Sequence, residues 1–108
     1  MGTEVTIGGL SFRCVKLIEA NFDDRAAVYV VLCVDGNGKW KVLDVGQSGS
    51  VGSRIDSHDR RDCWETRCTS GTLWVCIYPM PSSAYSEQDR LKVENGLRQH
   101  YKPPCGER

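Results

Sequence analysis

Apolar positions along the chain mark out a small number of strands and helices. Residues 28–34, Val-Tyr-Val-Val-Leu-Cys-Val, are apolar on both faces and rich in β-branched side chains. This pattern predicts a central strand covered on both sides. Asp35-Gly36-Asn37-Gly38 carries two turn dipeptides, and residues 40–45 read as the return strand. A two-residue loop at 36–37 and a four-residue loop at 35–38 give the same register, with Val34 facing Lys39 and Tyr29 facing Asp44. Directly opposed residues share a face with Cβ atoms about 5 Å apart, so Tyr29 and Asp44 are expected as neighbours. Residues 72–78 predict a third strand, ended by Pro79 and Pro81. Near the start, Val5, Ile7, Leu10 and Phe12 flank Gly8-Gly9 and predict a terminal hairpin. Residues 15–20 either extend its second strand or make one helical turn.

Two helices are predicted. Val51 and Ile55 lie one turn apart, which suggests a short helix over 50–59. On it, Arg54 and His58 would share a face. Residues 59–71 read as polar and irregular despite Trp64. Ser86-Glu87-Gln88-Asp89 has a capping serine and acids in the first turn. The helix it opens should run to Tyr101 and stop before Pro103-Pro104. Its apolar stripe is Leu91, Leu97 and Tyr101. Glu94 stands three residues from both leucines, on the side turned to the core, and also four residues from Arg90 and Arg98.

Length and composition narrow the class. The chain has 108 residues, enough for one domain with a real core. Its longest apolar run, 26–34, is nine residues, far short of the roughly 20 that a membrane helix needs. Lys plus Arg and Asp plus Glu are both 14, which excludes a bulk polycation but not a local basic face. Residues 90–102 hold four basic side chains and one acid. The six cysteines include no CxxC pair, so a structural zinc site is not expected. Cys33 and Cys76 sit in apolar runs, where a thiol behaves as a small hydrophobe. The start carries no basic-then-apolar leader. The expectation is a cytoplasmic protein with reduced thiols.

A wider pattern then emerges. Ala27-Val28-Tyr29 is followed by Asp44-Val45-Gly46-Gln47-Ser48, by Arg54 eight residues past that glycine, and by His58. Near the end come Glu94-Asn95-Gly96-Leu97 and Tyr101-Lys102-Pro103-Pro104-Cys105. Over residues 26–106 this resembles the GIY-YIG nuclease domain. The resemblance implies an α/β (α+β) fold, a small three-stranded antiparallel sheet flanked by helices. Residues 26–108 would form that domain and residues 1–25 a hairpin extension. It also implies a DNA endonuclease, a phosphodiester hydrolase using one divalent metal, Mg²⁺ or Mn²⁺. The tyrosine matching Tyr29 activates water, the arginine matching Arg54 binds the scissile phosphate, and the glutamate matching Glu94 holds the metal. The histidine matching His58 assists in some branches. Two positions depart from the family: its second tyrosine is Asp44 here, and its late asparagine aligns with Gly106.

The residue chemistry agrees with that assignment. Phosphodiester hydrolysis needs a water activator, a cation for developing charge, and a metal. A guanidinium fork at Arg54 suits phosphate. Mg²⁺ prefers carboxylate oxygens and waters, so Asp44 is expected to join Glu94 on the metal or to accept the phenol proton. His58 is expected to protonate the leaving alkoxide near neutral pH. DNA is the expected partner, with selectivity supplied by a second protein or a homodimer. The two departures keep other classes open: a catalytically inactive nucleic-acid-binding module, or a protein-interaction domain.

Overall fold

The structure, a computed structural model, describes residues 2–106. The N-terminal hairpin forms as strands β1 (Thr3–Ile7) and β2 (Leu10–Lys16) around Gly8 and Gly9, both at positive φ. A single 3-10 turn at Leu17–Glu19 ends it. The long apolar run is β3 (Ala27–Val34), paired with β4 (Trp40–Ser48). Helices α1 (Val51–Asp56) and α2 (Arg61–Arg67) precede β5 (Thr72–Pro79), and α3 (Glu87–Tyr101) closes the order.

The sheet has five strands in the order β1-β2-β5-β3-β4, every pairing antiparallel. The expectation of three strands is therefore corrected. The hairpin is part of the same sheet, because β2 pairs with β5 from Arg13↔Ile77 to Lys16↔Trp74. Two registers differ from expectation as well. Asp35 takes the backbone N–H groups of Asn37 and Lys39 on its Oδ1, and Gly38 has φ 81°. The loop thus holds three residues between the paired Asp35 and Lys39, the glycine supplying the left-handed position such loops use. Val34 then faces Trp40, and a bulge between Val31 and Leu32 adds a second offset. Tyr29 faces Gly46, while Asp44 faces Val31. With a period of two, Tyr29 and Asp44 still share a face, as diagonal rather than direct neighbours.

Helices cover both faces. On one, Val28, Val30, Leu32, Val45 and Phe12 pack with Leu97 of α3. On the other, Tyr29, Val31 and Leu43 pack with Val51 and Ile55 of α1 and Trp64 of α2. A serine cap and reciprocal Ser86–Asp89 bonds start α3, which runs to the predicted end. Its buried face carries Arg90, Glu94 and Arg98 beside Leu97. These charges are turned toward edge strand β4, whose Val45 carbonyl takes an N–H from Arg98. The tail adds Cys105 N–H to the Leu43 carbonyl at 2.9 Å. An edge that would otherwise expose its ladder is thereby covered.

The cysteines overturn the reduced-thiol expectation. All six are paired: Cys14–Cys76, Cys33–Cys68 and Cys63–Cys105. Cys14 and Cys76 are cross-strand partners on β2 and β5. The other two bridges tie α2 and its end to β3 and to the tail. Such pairing belongs to oxidising compartments, in contrast to the cytoplasmic expectation. No helix among the described residues is long and apolar enough to cross a membrane.

Candidate functional site

The ends of β3 and β4, the last turn of α1 and the middle of α3 converge on a cleft of about 180 Å³. Its lining is Tyr29, Gly46, Gln47, Arg54, Arg60, Leu91 and Glu94. Three of the sequence candidates, Tyr29, Arg54 and Glu94, thus come from separate elements to one place.

Tyr29 is 1% exposed. Its ring lies over Gly46, and its phenol oxygen is 2.5 Å from His58 Nε2. The Arg60 backbone N–H donates to His58 Nδ1 at 3.1 Å. The neutral imidazole therefore carries its proton on Nε2 and donates it to the phenol oxygen. Burial pushes the Tyr29 phenol above its ordinary 10; Arg60 and Arg54 act against that rise, and Asp44 adds to it.

Arg54 is delivered by a helix of one and a half turns that starts on a distant side chain. Asp24 Oδ1 accepts the Ser53 N–H at 2.6 Å and Oδ2 the Ser53 hydroxyl at 2.7 Å. Gly52 lets α1 sit against that segment, since a Cβ there would stand 2.2 Å from the Phe22 carbonyl oxygen. Arg54 remains 36% exposed and meets Asp59 at 3.3 Å.

His58 departs from its expected role. Helix α1 ends at Asp56, so His58 follows it in the connecting loop and does not share a helix face with Arg54. Its side chain is fully buried, between Tyr29 and Trp64 with ring centroids 5.4 and 4.5 Å away. Burial, then Arg54 and Arg60, lower its pKa from 6.5 to about 4. A neutral, enclosed imidazole is not an acid for a leaving alkoxide near pH 7. It positions Tyr29.

Asp44 also departs from expectation. It is fully buried and accepts from four nitrogens. Arg60 Nε and Nη2 donate at 2.7 and 3.2 Å, Trp64 Nε1 at 2.8 Å and Arg98 Nη2 at 2.7 Å. A carboxylate has about four lone-pair sites, and these donors use them. Asp44 therefore neither takes the phenol proton nor joins a metal. Gly106, at φ +69°, sits on this cluster: a Cβ there would be 2.5 Å from Arg98 Nη2, 2.6 Å from Arg60 Nε and 2.7 Å from Asp44 Oδ1. The two departures noted in the sequence are thus one packed unit, a carboxylate with two arginines under a glycine.

Glu94 is 4% exposed, and its Oε2 meets Arg98 Nε at 3.4 Å. Among the described residues, no group of three or more His, Cys, Asp or Glu is arranged to hold a metal. Zinc, which takes three or four protein ligands, does not fit this donor set. Mg²⁺ fits, because it is commonly held by one carboxylate with waters and substrate phosphate completing the shell.

Sequence reasoning missed Arg60, Trp64 and Arg98 as members of the site. The available signal was Asp44 itself, since a charge inside an apolar strand demands buried donors. Compared with known proteins, the chain matches no family model, no curated protein and no solved structure.

Proposed function

We propose that the protein is a metal-dependent endonuclease that hydrolyses phosphodiester bonds in DNA. The observation that carries this reading is the shared cleft of Tyr29, Arg54 and Glu94. The three side chains supply a water-activating oxygen, a phosphate-binding cation and a hard-metal ligand. The spacing that resembles the GIY-YIG domain supports the same assignment.

In this reading Arg54 takes a non-bridging phosphate oxygen in its guanidinium fork. Tyr29 acts as phenolate and receives a proton from the attacking water. Its oxygen is steadied by the His58 N–H and by the two nearby arginines. The water oxygen bonds to phosphorus, one P–O ester bond breaks, and the departing alkoxide takes a proton from solvent. Mg²⁺ or Mn²⁺ on Glu94 supplies charge stabilisation to the phosphate when bound. Arg98 holds the Glu94 carboxylate toward the cleft. A further protein or a second copy of the chain supplies selectivity for a site.

The test is nicking of supercoiled plasmid with Mg²⁺, Mn²⁺ or EDTA, with wild type beside Tyr29→Phe and Glu94→Gln. Metal-dependent nicking lost in both variants supports the enzyme. Salt-dependent DNA binding with no turnover on plasmid, nicked or branched DNA would leave the non-catalytic module as the function.

A further inference from the structure

The cleft holds a second arginine whose placement the water, phosphate and metal roles above do not use. Arg60 stands in the loop between α1 and α2. Its side chain is 27% exposed at the cleft wall, while the carboxylate it grips is fully buried. Asp44 binds it through two parallel N–H···O bonds, using two of the five donors a guanidinium carries. On the other side, the Gly106 backbone closes over Arg60 Nε. Burial disfavours its charge, but the Asp44 carboxylate more than offsets this and holds the group cationic. Arg60, like Arg54, also acts on the Tyr29 phenol, its charge favouring the phenolate.

A solvated surface arginine does not need a buried carboxylate, an indole N–H and a glycine lid to hold its partner in place. Arg54 is the contrast: it is more exposed, and its carboxylate partner is an exposed aspartate at 3.3 Å. We infer that Arg60 is a second catalytic cation, which donates to a non-bridging oxygen of the scissile phosphate opposite Arg54, with Asp44 fixing its fork. This rests on the nuclease reading above and deepens it. Arg60 exchanges no proton in the reaction. Its contribution is a pre-oriented positive charge where phosphoryl charge develops, and such groups stabilise a transition state more than mobile ones do.

The experiment compares wild type, Arg60→Gln and Arg60→Lys on a short nicked duplex. Cleavage with Mg²⁺ gives kcat and KM, and binding in EDTA is followed against salt. Arg60→Gln should lower kcat/KM by about 100-fold, mostly through kcat. It should also reduce the salt slope of binding by about one. Arg60→Lys, a point charge without the fork, should recover only part of the rate. A folded Arg60→Gln protein that binds and cleaves as wild type does would overturn the inference and leave the nuclease reading intact. Wild type that neither binds nor cleaves the duplex would overturn both. Should the variants not fold, phenylglyoxal labelling of the wild type decides the matter. Duplex should shield Arg60 together with Arg54, and shielding of Arg54 alone would overturn the inference.

Discussion

The Tyr29 ring lies across the backbone of Gly46, so closely that a Cβ at 46 would stand 2.3 Å from both the phenol oxygen and the adjoining ring carbon. The two residues are cross-strand partners on β3 and β4. The glycine is therefore what allows the phenol to lie along the sheet and reach His58. Gly46→Ala must displace the ring and break the 2.5 Å contact. The expected cost is about 1–3 kcal/mol, typical of overpacking, with cleavage reduced as far as in Tyr29→Phe. Removing the ring as well, in Gly46→Ala/Tyr29→Val, should cost less than the two single changes summed. Urea unfolding of the three variants measures this. Additive losses would show that the ring and the glycine are independent.

The state of His58 sets a pH dependence of stability. Its pKa is about 4 in the folded protein against 6.5 when unfolded, so the unfolded chain binds the extra proton. Stability is complete above pH 6.5 and falls as pH drops through the interval to 4, by about 3 kcal/mol in all. Denaturant midpoints at pH 7, 5.5 and 4.5 should fall in that order. His58→Gln should flatten the fall, while lowering stability at pH 7 through loss of the Tyr29 contact.

Activity should follow the opposite limb. Burial holds the Tyr29 phenol above its ordinary value, so phenolate is a minor species at neutral pH. Cleavage should then climb about tenfold per pH unit from 7 to 9 without a plateau. A flat profile in that range would argue that Tyr29 only orients the water. Arg60→Gln, by removing a charge that favours phenolate, should displace the whole profile to higher pH.

Much of this arrangement was legible in the sequence. The apolar run of β3, the turn at 35–38 and the capped start of α3 are local patterns, and each depends on few neighbours; Tyr29, Arg54 and Glu94 were singled out by the family resemblance and not by any local pattern. What was not legible depended on contacts distant in sequence. The Asp44 register rested on a loop one residue different from either form considered and on a bulge that no residue type announces. Helix α2 is short and looks polar, and it exists because Trp64 reaches a core residue 20 positions earlier. Arg90 and Arg98 read as a wet face by charge, yet they are buried beside Glu94, because β4 is an edge whose acceptors take arginine donors. The disulfide pairing was equally hidden, since it follows from strand and tail placement and not from cysteine spacing.

Asp44 carries the heaviest structural charge. It neutralises Arg98, 7% exposed, and Arg60 at once. Asp44→Asn would leave the part-buried Arg60 without its carboxylate, leave the buried Arg98 with only the longer Glu94 contact, and turn an amide toward their donors. Breaking a buried pair of this kind costs about 3–5 kcal/mol. Glu94→Gln, whose contact with Arg98 is the longer 3.4 Å one, should cost much less stability while removing metal-dependent cleavage. Thermal unfolding of the two variants side by side checks the ranking. The Asp44 loss should change little with added salt, because buried pairs are weakly screened.

The bridge between Cys63 and Cys105 links stability to the cleft. It ties α2, whose Trp64 binds Asp44, to the tail whose Gly106 covers Arg60. The Cys14–Cys76 bridge joins two sheet strands, and neither cysteine lines the cleft. Each closes a long loop, 42 and 62 residues, and the chain-entropy argument assigns each about 4 kcal/mol. Replacing either pair by serines should therefore lower the urea midpoint to a similar extent. Only the Cys63→Ser/Cys105→Ser protein should also lose cleavage when assayed well below its unfolding midpoint, because only there does Arg60 lose its cover. Equal activity in the two double variants would mean that the Asp44 clamp holds Arg60 without the tail.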